Sequence, residues 1–199
     1  NDADLTAMGA FGENGLEMSI VKGAQYAAAT KGKVKPAGAI EMFFTPTGGD
    51  TSTIGAMWAG HPTYGTTPVS LGRIAINANP VYFSFTSDTT GRWLNNVKYD
   101  TDYHVAYVNE GGSKMRAYAN GVDTGKTSTS TLTESKIAFG GFSGYERRMT
   151  GTIYAVRIYN RALTPEEIAL NAVIDKARFG GPDDRYRYND ETGKLEISV

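Results

Sequence analysis

The residues able to do chemistry fall into a few short neighbourhoods. Glu41 stands alone in the apolar stretch Ile40-Glu41-Met42-Phe43-Phe44, with no acid two or four positions away. Retaining hydrolysis of a glycosidic bond takes two carboxyl groups roughly 5–5.5 Å apart, and residues two apart on a strand share a face. Glu41 has no such neighbour, so a solvated face or a local salt bridge is expected of it. His61 and His104 are the only histidines, and their separation matches no zinc-ligand spacing. Gly141-Phe142-Ser143-Gly144 stops one residue short of a nucleophile elbow and lacks the strand-turn-helix context. With no cysteine, thiolate catalysis, thiolate metal sites and disulfides are excluded. The catalytic set is empty, and a non-enzymatic role is expected.

Binding chemistry is better supplied. Sugar recognition stacks aromatic rings on the apolar face of a pyranose and uses amides and charged groups for its hydroxyls. Trp58, His61 and Tyr64 stand in one stretch, Arg92, Trp93, Asn95 and Asn96 in a second, and Tyr145 with Arg147 and Arg148 in a third. Read as loops with exposed rings, these supply Trp58, His61, Tyr64, Arg92, Trp93, Asn95, Tyr145 and Arg147 as the candidate ligand-binding set. Asp88, Asp100, Asp102 and Asp123 are the candidate oxygen donors for calcium, the one cofactor these residue types suit.

Short strands must position these groups. Apolar or alternating segments at 16–21, 39–45, 54–58, 71–77, 81–86, 103–109, 114–120, 136–139 and 152–159 are each closed by Gly, Asn, Asp or Pro, the pattern of an all-β sandwich or jelly roll. In 39–45 the alternation puts Ile40, Met42 and Phe44 on one face and Glu41 and Phe43 on the other, one face core and the other open to a concave surface. Asn120-Gly121 predicts a type I′ hairpin turn, whose two central residues need positive φ. One helix is expected at 165–179: Thr164 caps it, Pro165 takes its first position and Glu167 completes a capping box, with Gly180-Gly181-Pro182 ending it.

The 199 residues fit one domain. Residues 1–14 read as a lead-in adding at most one edge strand, 15–181 as the domain, and 182–199 as a tail hairpin with strands 185–188 and 194–199. Twenty basic against 21 acidic residues, with no run of like charge, make nucleic acid and anionic membrane poor partners. No apolar stretch approaches the ~20 residues that span a bilayer. The chain begins with Asn1 and shows no signal peptide, which suits a processed or excised part of an exported protein.

The order of these segments resembles the laminin-G-like members of the concanavalin A-like lectin and glucanase superfamily. The stretch Gly151-Thr-Ile-Tyr-Ala-Val-Arg-Ile-Tyr-Asn-Arg-Ala-Leu-Thr-Pro-Glu-Glu-Ile168 is similar to that family's last core strand and short helix. Tyr103-His-Val-Ala-Tyr-Val108, Met115-Arg-Ala-Tyr-Ala-Asn-Gly121 and Ile137-Ala-Phe-Gly-Gly141 resemble three further strands, and the first of these resemblances implies that His104 is packed in a structural strand. Ile40-Glu-Met-Phe-Phe-Thr-Pro46 takes the place of a strand that usually carries Trp; here it carries Phe.

The resemblance implies a two-sheet antiparallel jelly roll, concanavalin A-like, with binding on a rim or concave face. The superfamily's glucanases carry Glu-x-Asp-x-x-Glu, absent here. The expectation is therefore a non-catalytic, extracellular, carbohydrate-binding module of a larger surface protein. The alternatives are a structural or adhesion domain of a cell-surface or virion assembly, with protein partners, and a glucan-cleaving hydrolase.

Overall fold

The computed structural model describes residues 5–7, 10–11, 16–18, 28–30, 38–49, 54–59, 69–75, 82–84, 92–111, 114–128, 137–139, 149–179, 186–189 and 191–197. In chain order these form β1 (Leu5–Ala7), β2 (Ala10–Phe11), β3 (Leu16–Met18), β4 (Ala28–Thr30), β5 (Ala39–Gly49), β6 (Ile54–Ala59), β7 (Val69–Ala75) and β8 (Tyr82–Ser84). Then come β9 (Arg92–Asn95), β10 (Tyr103–Gly111), β11 (Lys114–Ala119), β12 (Val122–Ser128), β13 (Ile137–Phe139) and β14 (Met149–Tyr159). The helix α1 (Pro165–Phe179) and the strands β15 (Tyr186–Asn189) and β16 (Lys194–Ile197) complete the order.

The fold is mostly β, with two seven-stranded antiparallel sheets ordered β1-β4-β13-β6-β7-β8-β9 and β12-β11-β10-β5-β14-β3-β2. β14 pairs with β5 from Met149 opposite Gly49 to Tyr159 opposite Ala39, so the two longest strands form the centre of the second sheet. A bulge at Thr150/Gly151 brings the chains unusually close there. A Cβ on Gly151 would lie 2.0 Å from the Thr45 carbonyl oxygen, and Gly151 sits at φ 141°. Only glycine tolerates both conditions.

Both faces of β5 are buried. Ile40, Met42 and Phe44 pair across β10 with Tyr107, Val105 and Tyr103, and Tyr107 meets Trp93 of the other sheet edge-on, ring centroids 5.7 Å apart. The two sheets touch through this contact. On the opposite face Ala39, Ala106, Val108 and Tyr118 pack against Leu163 and Ile168 at the start of α1. Burying Ile168 alone contributes roughly 1.5–3 kcal/mol. The open, solvated face expected around Glu41 is therefore corrected: α1 lies over it, and Glu41 is fully buried.

The helix begins as its sequence requires. The Glu167 N–H donates to Thr164 Oγ1 (3.2 Å), and Glu167 Oε2 accepts from the Thr164 N–H (2.9 Å), the reciprocal pairing of a capping box. The Asn120-Gly121 turn has φ values of 49° and 81°, as a type I′ hairpin demands. β15 and β16 form the tail hairpin.

Three expectations change. The lead-in supplies two strands, β1 at the edge of one sheet and β2 at the edge of the other. The stretch 92–95 is strand β9 and not a loop, since Trp93-Leu94 is a strand-forming pair too short to show alternation. β12 is polar, with an exposed pattern along most of its length, and apolar periodicity cannot reveal such an edge strand.

Candidate functional site

Among the described candidate residues, Asn95, Asp100 and Asp102 come together at the segment joining β9 to β10, which presents a run of outward polar groups. Asn96 (φ 60°) and Asp100 (φ 54°) adopt the left-handed conformation, which Asn and Asp enter at least cost among non-glycine residues. The segment is tied down at several points. The Lys98 N–H donates to the Tyr103 hydroxyl (2.8 Å), the Asp100 N–H donates to the Pro46 carbonyl (2.9 Å), and Val97 is buried. Asn95, Asn96, Lys98, Asp100 and Thr101 point outward as a result. Tyr99 is half-buried, and that burial raises its phenol pKa. A fixed loop carrying amides, an ammonium, a carboxylate and a hydroxyl can donate to and accept from neighbouring hydroxyl groups without first being ordered.

A second layer supports the loop. The Thr45 hydroxyl donates to the Asp102 carboxylate and lies 3.3 Å from the Tyr154 hydroxyl. Tyr154 stacks on Phe179, centroids 5.7 Å apart, and is 5.5 Å from the Phe43 ring. The Arg178 guanidinium stands 5.2 Å from the Phe179 ring centre, within cation–π range. The last turn of α1 thus packs beneath the loop's anchor.

Deeper, between β5, β10, β14 and α1, lies a polar network that alternation on β5 does not suggest. Glu41 Oε2 accepts from the Tyr159 hydroxyl and from Asn171 Nδ2, each at 2.9 Å. Arg157 donates through both terminal nitrogens to the two oxygens of Asp175, one at 2.7 Å. His104 Nε2 lies 3.5 Å from Glu41 Oε1 and 3.7 Å from Asp175 Oδ2. Glu41, His104 and Asp175 are all buried. The Asp175 hydrogen bond raises the Arg157 pKa. Burial first, and then the Glu41 charge, pushes the Tyr159 phenol far up, so it remains a donor. Carboxylates enclosed in this way bind α1 to the sheet and are closed to a polysaccharide. The salt bridge expected of Glu41 becomes a buried hydrogen-bonded carboxylate, and His104 is packed as expected.

Trp93 is 5% exposed in the core, so the exposed ring expected there is corrected, because the side chain fills the space between the sheets. Arg92 and Asn95 are the ends of β9, and Asn95 is exposed. Trp58 lies within β6, paired in register with Ser70 and Ala138. His61, Tyr64, Tyr145, Arg147 and the calcium candidate Asp88 lie outside the described residues. Asp100 and Asp102 share the loop, whereas Asp123 is engaged by Arg116 at 3.0 Å. Calcium takes six to eight oxygens. Asp102 accepts from Thr45 and Asp123 pairs with Arg116, and among the described residues no group of three or more histidine, aspartate or glutamate side chains is placed to hold a metal ion.

Arg157, Tyr159, Asn171 and Asp175 carry no motif that marks them as a group in the sequence. The available signal was polar residues at i and i+4 on the inner side of a helix, opposite polar residues at i and i+2 on a strand.

A family model described as the concanavalin A-like lectin/glucanases superfamily matches residues 21–169. No curated protein matches the chain at the level of sequence. Among solved structures, Trypanosoma rangeli sialidase in complex with sialic acid is similar at 18% identity and TM-score 0.62, over 83% of this chain and 28% of that one. This chain therefore spans little more than a quarter of the sialidase. The SAP-like pentraxin of Limulus polyphemus aligns at 12% identity and TM-score 0.53, covering 74% of this chain and 75% of the pentraxin. A candidate carbohydrate binding protein from Bacteroides ovatus aligns at 15% identity and TM-score 0.51, covering 81% and 51%.

Proposed function

We propose that this chain, which belongs to the concanavalin A-like lectin/glucanase superfamily, is a non-catalytic carbohydrate-recognition module of a larger extracellular protein. The observation that carries the reading is the β9–β10 segment: outward amides, carboxylate, ammonium and hydroxyl on a backbone pinned to Tyr103 and Pro46. Rigid polar groups beside an aromatic ring suit sugar hydroxyls, because the ordering cost is met during folding. The burial of Glu41 supports the non-catalytic part of the reading. The extracellular assignment follows the family's usual setting, and among the described residues no helix is long and apolar enough to cross a membrane.

A glycan array with Asn95→Ala, Asp100→Asn and Tyr145→Ala variants tests the proposal. Selective binding by the parent chain, weakened in these variants while their thermal unfolding is unchanged, is the expected result. Absence of binding across broad glycan classes would sink it. Release of reducing sugar from β-glucans, abolished by Glu41→Gln in a chain that still folds, would establish a hydrolase instead.

A further inference from the structure

The turn between β11 and β12 holds a reactive pair, Asn120-Gly121, at an exposed position. Glycine after asparagine leaves the backbone nitrogen open to attack the side-chain amide, a common chemical weakness of asparagine. In that reaction the Gly121 nitrogen gives up its proton to solvent base and bonds to Asn120 Cγ. The Cγ–Nδ2 bond breaks, and ammonia leaves. Water then opens the cyclic imide to aspartate or to isoaspartate, so the net change exchanges ammonia for water.

Ring closure requires the Gly121 nitrogen to swing round beside the Asn120 Cβ. A type I′ turn holds that nitrogen on the far side, and three contacts fix the turn. The His104 N–H donates to Asn120 Oδ1 at 3.0 Å, and the Asn120 N–H donates to the His104 carbonyl at 2.7 Å. Gly121 is pressed on α1 so closely that an added Cβ would meet Ala169 Cα at 3.0 Å and Ala172 Cβ at 3.2 Å. Rotating Gly121 into the reactive position therefore means moving it against the helix. The helix is itself held by Asn171 on Glu41 and by Asp175 on Arg157.

We propose that Asn120 is a latent deamidation site that the docked helix α1 keeps closed, so that its conversion reports undocking of the helix from the sheet. Isoaspartate would add a methylene to the backbone where Gly121 meets Ala169, and so would hinder the helix from docking again.

Peptide mapping by mass spectrometry of the full chain tests this, with samples aged at mildly alkaline pH in buffer and in denaturing urea. Asn14-Gly15, the same dipeptide, serves as the internal clock in urea. Asn120 should convert about tenfold or more slowly in the folded chain than in urea, since the reaction awaits local opening, and Asn171→Ala should raise the folded rate. If that variant does not fold, the parent chain in sub-denaturing urea substitutes for it, and conversion at Asn120 should climb before the global transition. Equal rates in buffer and denaturing urea would overturn the proposal. So would a folded rate that responds neither to Asn171→Ala nor to sub-denaturing urea.

Discussion

Asn171 Nδ2, on the inner side of α1, lies 2.9 Å from Glu41 Oε2 at the centre of β5, across 130 residues of chain. Around that bond the helix and the sheet exchange buried polar groups, and Arg157 with Asp175 repeats the arrangement one helical turn further on. A buried carboxylate is tolerated only where donors replace its water. The helix supplies one of the two donors to this oxygen, and Tyr159 supplies the other. Docking of α1 and burial of Glu41 are therefore a single event.

Removing the carboxylate should be costly. Glu41→Ala leaves the half-buried donors of Tyr159 and Asn171 without their carboxylate acceptor, and a loss of about 2–3 kcal/mol is expected from urea unfolding. A double-mutant cycle of Glu41→Gln with Asn171→Ala should show coupling of about 1 kcal/mol. Additive effects would mean that the contact contributes nothing of its own.

Trp93→Ala should behave as a core deletion. The ring lies between the sheets against Tyr107, so stability should fall by about 3–5 kcal/mol. A variant as stable as the parent would contradict the burial of that ring.

Gly151→Ala should be destabilising by about 2 kcal/mol or more, since a methyl group would collide with the Thr45 carbonyl at a positive φ. A denaturant midpoint within error of the parent's would rule out the close approach of β14 to β5.

Acid should loosen the start of α1. The Arg161 guanidinium, with help from the Thr164 N–H, holds the Glu167 carboxyl down to about 2, against roughly 4.3 in an unfolded chain. The folded-state value is depressed, so the contribution is complete above that unfolded value and disappears as pH falls toward 2. The melting temperature of the parent should therefore drop across this window more than that of Glu167→Gln. The pair is exposed, so the difference should be small and should shrink in high salt. Parallel pH profiles for the two proteins would refute the assignment.

Much of the fold was legible because its signals are local. Thr164, Pro165 and Glu167 specify a helix start within four residues, Asn120-Gly121 specifies a hairpin by its tolerance of positive φ, and alternation in 39–45 identifies two faces of a strand. The site was less legible. Asn95 is exposed as expected, but Trp93, two residues earlier, is core, because four residues cannot reveal which side of a strand meets a second sheet. β12 carries no apolar pattern, and its existence is implied only by the hairpin turn that precedes it.

By itself, then, the sequence determined the longer apolar strands, where the helix begins and the Asn120-Gly121 turn type, since propensity, capping and turn geometry act between near neighbours. Only the tertiary structure decided that both faces of β5 are covered, that Glu41 is a buried acceptor and not a surface acid, and that Trp93 belongs to the core. The physical reason is that burial is a property of what lies opposite. For Glu41 that is Asn171, brought beside it only when β14 and the helix after it close over the sheet.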